Sequence, residues 1–214
     1  MALLARIPSG RAGRMWLRRR LGAAERGRDQ LDRKLRILVP EQQRLRILAD
    51  GCQKDWLAAC DDASVWMLRA TLLGGQDAIR YAAAPEPADV EVTWTTALGV
   101  RYPAAAGLES LPAEVPGVSG NAAIVPATVA YKKAFVAGVR AAAASEALRR
   151  IEAEIAVTRR RVRALDRRWL PQLREALAVL EQSLVQAEQE DAVRLRRAAG
   201  QAQVGGHRGA APSR

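Results

Sequence analysis

Apolar residues recur at alternating steps of four and three through the first third of the chain. The series runs Leu17, Leu21, Ala24, Leu31, Leu35, Leu38, Leu45, Ala49, Cys52, Trp56, Ala59, Ala63, Trp66, Ala70 and Leu73, and only Arg28 and Gln42 interrupt it with polar side chains. A second series, Leu148, Ile151, Ile155, Thr158, Val162, Leu165 and Trp169, occupies the other half. A stripe that returns every 3.5 residues or so winds helices around each other as a coiled coil. One such stripe at each end predicts a chain that folds back on itself. The expected fold is all-α: a long antiparallel two-helix coiled coil with a small central β-hairpin or irregular segment.

Breakers divide the chain. Residues 1–13, with Pro8, Ser9, Gly10 and Gly13, read as a flexible N-terminus. The first helix is expected over 14–75, stopping at Gly74-Gly75. At 1.5 Å per residue it would be about 90 Å long. Residues 76–126 hold Pro85, Pro87, Pro103, Pro112, Pro116 and Pro126 and the best strand signal. Val90, Val92 and Trp94 alternate with Glu91, Thr93 and Thr95, and Gly99 to Tyr102 offers a second strand. A hairpin near 90–103 follows, turning at Thr96 to Leu98. An isolated hairpin is marginal in water, so it should lean on the helices or on a partner. The second helix is expected over 127–199, and residues 200–214 read as a disordered tail.

Laying Arg14 level with Ala199 makes paired residue numbers add to roughly 213 and puts Pro40 beside Pro171. Each proline removes a backbone donor and bends its helix. The steps Leu165, Trp169, Leu173 and Leu177 are all fours, a stutter that unwinds a supercoil. A bend or straightened stretch is therefore expected at Pro40 and Pro171. The same alignment brings Arg14, Arg18, Arg19 and Arg20 to one tip with Arg194, Arg196 and Arg197. Cations suit the end of a helix but not its start, which favours a contact role for the first cluster.

The net charge of +11 over 214 residues, with 4% aromatic content, suits long helices seeking an acidic partner. No stretch approaches the ~20 apolar residues of a membrane span, and no secretory leader is recognisable at the start. Cys52 and Cys60 stand roughly 12 Å apart along one helix, too far to bridge, so a reduced cytoplasmic setting fits. No phosphate-cradling loop is present. The single histidine, His207, leaves no triad or metal cluster to build. Catalysis, cofactor binding, metal binding and direct nucleotide binding are accordingly not expected. Arg159, Arg160, Arg161, Arg163, Arg167 and Arg168 could meet phosphates, but Glu152, Glu154, Asp166 and Glu175 interleave with them, and no stacking platform or nucleic-acid motif accompanies them.

Three blocks resemble the D subunit of the V-type and archaeal-type rotary ATPases. They are Arg18 to Leu35 with its Ala24-Glu25-Arg26-Gly27; Gly99-Val100-Arg101-Tyr102-Pro103; and Thr158 to Leu165, followed by Leu170-Pro171 and Arg194-Leu195-Arg196-Arg197. Where the family typically has Asn, this chain carries Arg163. The resemblance spans about residues 14–199 and implies a central rotor shaft without chemistry of its own. Its partners would be the ring of catalytic A and non-catalytic B subunits, a small F subunit in the stalk, and a socket subunit (C/d type) leading to the membrane ring. The complex would lie on the cytoplasmic face of the membrane and couple ATP synthesis or hydrolysis to proton or sodium transport. Arg14, Arg18, Arg19, Arg20, Arg194, Arg196 and Arg197 are the expected ring contacts. Two alternatives stand beside it: a free-standing basic coiled coil that binds nucleic acid, and a homo-oligomeric scaffold.

Overall fold

Helical periodicity does carry through nearly the whole chain. In the computed structural model, which describes residues 8–82, 88–110 and 121–208, helix α1 runs Gly10–Ala82 and a two-stranded antiparallel sheet pairs β1 (Asp89–Ala97) with β2 (Val100–Ser110). Helix α2 spans Ile124–Ala164, a π-helical turn Leu165–Trp169, and helix α3 Leu170–Arg208. Pro85, Pro87, Pro112 and Pro116, residues 1–7 and the last six residues of the tail lie outside the described residues.

Several boundaries differ from expectation for local reasons. Helix α1 begins at Gly10 rather than Arg14. It is broken at Gly75, whose φ of 69° and ψ of −177° are not helical, but the chain re-enters a helix up to Ala82. Helix α2 begins at Ile124, ahead of Pro126, because a proline in the first turn forfeits no helical hydrogen bond. Asn121 caps it: its Oδ1 accepts from the Ala123 N–H at 3.0 Å while its Nδ2 donates to the Ala70 carbonyl at 2.9 Å. The C-terminal helix continues past Ala199 through part of the expected tail, where Ala198, Ala199, Gln201, Ala202 and Gln203 all favour helix. The hairpin turns at Leu98 and Gly99, both with positive φ (48° and 84°), as a tight two-residue connection between right-twisted strands requires. Its second strand extends well beyond Tyr102, to Ser110.

The chain forms two compact units. In the unit Arg33–Arg159, Leu38, Leu45, Tyr102, Ala147, Ile151 and Ile155 form one buried cluster, with Leu35, Val39, Ala97, Val100 and Leu148 packed on it. Further along, Ala63, Ala130 and Ala134 pack with Ala59, Cys60 and Trp66. Ala70, Ala123, Ile124 and Ala127 close a third cluster. The buried α2 half of this seam is mostly alanine, with Ile124, Ile151 and Ile155 as its large side chains. Trp56 lies across Gly138, where a Cβ would stand 3.0 Å from the indole Nε1. Trp56 is itself 36% exposed and Leu73 66% exposed, so the α1 stripe leaves the interior at those positions.

In the other unit, Met1–Asp32 with Arg160–Arg214, Leu17, Leu170 and Leu173 are buried and Leu21, Leu31, Val162 and Leu165 half-buried. The stripe does not pass through Trp169, which is 37% exposed; its neighbour Leu170 is buried instead. The π turn explains the substitution. The Leu170 N–H donates to the Leu165 carbonyl, five residues back instead of four. One extra residue is thereby absorbed within a single turn, where a stutter would spread it over several. Trp169 is turned outward, and Leu170, Leu173, Leu177, Leu180 and Leu184 resume steps of three and four.

The two prolines are not partners. Lys34 Nζ donates to Glu154 at 2.7 Å and Gln42 Nε2 to Glu152 at 3.0 Å, so Pro40 lies in the stretch packed on that part of α2. Pro171 lies in the stretch whose neighbours are Glu25 and Arg28. Helical dihedrals persist through Pro40, the only departure within α1 being Gly75. A π turn, Leu165–Trp169, stands directly before Pro171.

Candidate interaction surfaces

Ion pairs fix the register of the terminal unit. Arg11 pairs with Glu188 at 3.2 Å, Arg18 with Glu181 at 2.7 Å, and Glu25 with Arg174 at 2.9 Å. Each step is seven residues on both helices, and each pair of residue numbers adds to 199. These are the flanking charge positions of a coiled coil, which select partner and register more than they stabilise. The expected pairing near 213 is therefore corrected. Arg18 stands beside Glu181, and Arg194 is held by Glu190 and Asp191 of its own helix at 3.6 and 3.7 Å. Arg194, Arg196 and Arg197 lie on α3 beyond Glu188, on a stretch exposed from Val185 through Ala199. They do not meet Arg14, Arg18, Arg19 and Arg20; the two cationic runs are separate surfaces. In the first run Arg20 lies over the Trp16 ring at 4.9 Å, and the Arg14 Nε is buried with no hydrogen-bond partner among the described residues.

The ladder ends near the π turn. There Arg28 reaches Asp166 at 3.2 Å as well as Asp29 and Asp32 on its own helix. These acids, Asp29 first, hold the Arg28 guanidinium above its usual value. The exposed Arg160, Arg161, Arg167 and Arg168 have no ion-pair partner among the described residues.

In the other unit the hairpin is latched to both helices. Tyr102 Oη donates to Glu41 Oε1 at 2.8 Å, and the Arg44 fork donates to the same carboxylate at 2.6 and 2.9 Å. These bonds, Arg44's first, lower the Glu41 carboxyl against the opposing effect of burial, while burial and the Glu41 contact raise the Tyr102 phenol. On the other side Trp94 lies between Arg101 and Arg150, 4.9 and 5.0 Å from its ring centroid, and Arg150 Nη1 donates to the Arg101 carbonyl at 3.1 Å. A cavity of about 370 Å³ opens beside the latch, lined by Ile37, Leu38, Pro40, Glu41, Arg44, Ala97 and Tyr102. The outer part of β1 is open: Val90, Val92 and Trp94 are 46%, 37% and 39% exposed. The latch was not legible in advance, because nothing in the sequence relates Tyr102 to Glu41. A second cavity, also about 370 Å³, lies among Trp66, Arg69, Leu72, Leu73, Ala122 and Ala123, with Leu68 and Leu72 exposed nearby.

Arg149 and Arg150 draw the Glu146 carboxyl down to about 2. Gln42 and Arg46 likewise lower Glu152. A carboxyl lowered on folding contributes stability above its unfolded value, and that contribution is lost as pH falls through the folded value. The thermal midpoint should therefore fall as pH drops from about 5 toward 2. Glu146→Gln should lower the midpoint at pH 7 and flatten that decline. A Glu146→Gln profile parallel to that of the unaltered protein would show the contact contributes nothing.

Among the described residues no group of three or more His, Cys, Asp or Glu could hold a metal ion, and no helix is long and apolar enough to cross a membrane. Cys52 and Cys60 are free thiols, each half-buried.

A family model for the ATP synthase D subunit matches residues 15–200. The V-type ATP synthase D subunit of Thermotoga neapolitana is 29% identical over 185 residues, covering 85% of this chain and 91% of the relative. The A-type ATP synthase D subunit of Haloquadratum walsbyi is 30% identical over 184 residues, covering 83% and 79%. The V-type ATP synthase D subunit of Thermus thermophilus is 29% identical over 203 residues, covering 92% and 89%.

Proposed function

Because the chain belongs to the ATP synthase D-subunit family, we propose that it is the non-catalytic central rotor shaft of a V/A-type rotary ATPase. It couples ATP synthesis or hydrolysis in a ring of A and B subunits to proton or sodium transport through the membrane ring. It works from the cytoplasmic face, with the small F subunit and a socket subunit of the C/d type as its other partners. The observation that carries the reading is the seven-residue ladder of ion pairs flanking a buried leucine seam. Two helices locked in register resist sliding past one another, as an element that transmits torque must. Arg14, Arg18, Arg19 and Arg20 on α1 and Arg194, Arg196 and Arg197 on α3 are its proposed ring contacts, acting as two separate patches. An arginine surface can meet acidic ring loops with charge-assisted hydrogen bonds while remaining solvated between contacts.

The test is reconstitution. Co-expressed with its A, B and F subunits, the chain should co-purify at one copy per ring and rotate when nucleotide is hydrolysed. Removing residues 1–20 and 194–214 should weaken coupling while leaving hydrolysis at the ring's own sites. Unchanged coupling after that removal would defeat the proposed ring contacts, and a chain that stays out of the assembly would defeat the whole reading.

A further inference from the structure

The π turn has a surface consequence. An unbroken α-helix would point Trp169 along the seam; the extra residue turns it out, to 37% exposure, and buries Leu170 in its place. An interior exchange of a large indole for a leucine forgoes apolar burial that the chain had at hand, since the gain from burial grows with the apolar area removed from water. Around this indole lie Arg167 and Arg168 in the same turn, and Arg160 and Arg161 two to three turns earlier, all exposed and without ion-pair partners among the described residues. The acid of the turn is already engaged: Asp166 is held by Arg28. Tryptophan and arginine are the side chains that most often dominate protein contacts, the indole filling a pocket and the guanidinium pairing with carboxylates. Single-turn π insertions are over-represented at functional positions.

We propose that the π turn presents Trp169, flanked by Arg167 and Arg168, as the anchor of a contact with an acidic protein surface that carries an apolar slot. The inference rests on the shaft reading for the existence of surrounding subunits, and adds a contact point distinct from the terminal arginines. Charge selects an acidic occupant. Protein is favoured over nucleic acid because, among the described residues, Trp169 is a single ring with no second aromatic within a turn of it on α3 to stack successive bases.

The experiment is hydroxyl-radical footprinting of the whole chain, free and assembled with the A, B and F subunits. Trp94, whose exposure of 39% is similar, is the internal comparison. Oxidation of Trp169 should fall several-fold on assembly. Trp169→Ala should weaken association by about 30-fold, the size of a contact hot spot. The double change Arg167→Glu and Arg168→Glu should weaken it further and reduce its salt dependence. Equal oxidation of Trp169 in the free and assembled chain overturns the proposal while leaving the shaft reading intact. So does a Trp169→Ala variant that folds and assembles with unaltered affinity. If that variant fails to fold, the footprint of the unaltered chain decides alone. A chain that does not assemble overturns both readings. Protection of Trp169 by duplex DNA but not by the protein subunits overturns the protein occupant.

Discussion

Ile151→Ala should cost the protein about 3 kcal/mol, within the 2–5 kcal/mol typical of deleting a buried branched side chain. Ile151 is 0% exposed and packs in the cluster formed by Leu38, Leu45, Tyr102, Ala147 and Ile155. Removing its distal carbons leaves a cavity that the neighbours can fill only in part: the leucines and Ile155 are held by the two helices, and Tyr102 is tied to Glu41. The same cluster seats the hairpin, so the loss should reach the latch, releasing Tyr102 and exposing Trp94 further. Ile47, on the outer face of α1 and 75% exposed, is the control; Ile47→Ala should stay within about 0.5 kcal/mol. Denaturant unfolding of both variants measures the difference. Equal effects at the two positions would mean that the seam through Ile151 does not carry the packing described.

The second large effect concerns the π turn. The ring of Pro171 in a regular α-helix would press on the carbonyl of Arg167, four residues back, and leave it without a donor, at about 3 kcal/mol or more. A wider π turn directly before the proline is one way to relieve that pressure. Apart from this turn the seam keeps its alternation, with Val162 and Leu165 before it and Leu170 and Leu173 after it. Deleting Arg168 would restore unbroken steps of three and four but set the proline ring against the preceding turn. The deletion alone should therefore destabilise by about 3 kcal/mol. Combined with Pro171→Ala it should be close to neutral, because a continuous heptad then meets no obstruction. A double-mutant cycle over the deletion and Pro171→Ala reads the coupling directly. Additive effects would show that Pro171 and the π turn are independent.

Both effects bear on how much of this molecule could be read beforehand. The seam residues Leu17, Leu38, Leu45, Ile151 and Ile155 are legible because a helix repeats every few residues, and an apolar residue must find the inner face whatever lies opposite. Gly75 and the turn at Leu98 are legible for an equally local reason, since a turn or break must be made by the residues that stand there, although Gly99, expected to open the second strand, is the other residue of the turn. Pro126 misled only by a turn, because its cost depends on whether it falls in the first turn of a helix or later. Trp169 misled for another reason. Steps of four suit a stutter as well as a π turn, and the choice depends on which of Trp169 and Leu170 the partner helix accepts.

The heptad pattern of this chain settles that two helices pair and which faces they bury, but a pattern repeating every seven residues matches itself after any shift of seven. The expected pairing near 213 and the observed 199 differ by fourteen, two heptads, and the apolar seam is nearly indifferent between them. The long-range contacts that break this degeneracy are Arg11 with Glu188, Arg18 with Glu181, Glu25 with Arg174, Trp56 against Gly138, and Asn121 on the Ala70 carbonyl. Each joins residues between 51 and 177 positions apart. Such contacts have no local signature, so the register, the separation of the arginine clusters and the outward turn of Trp169 were decided only by the packed chain.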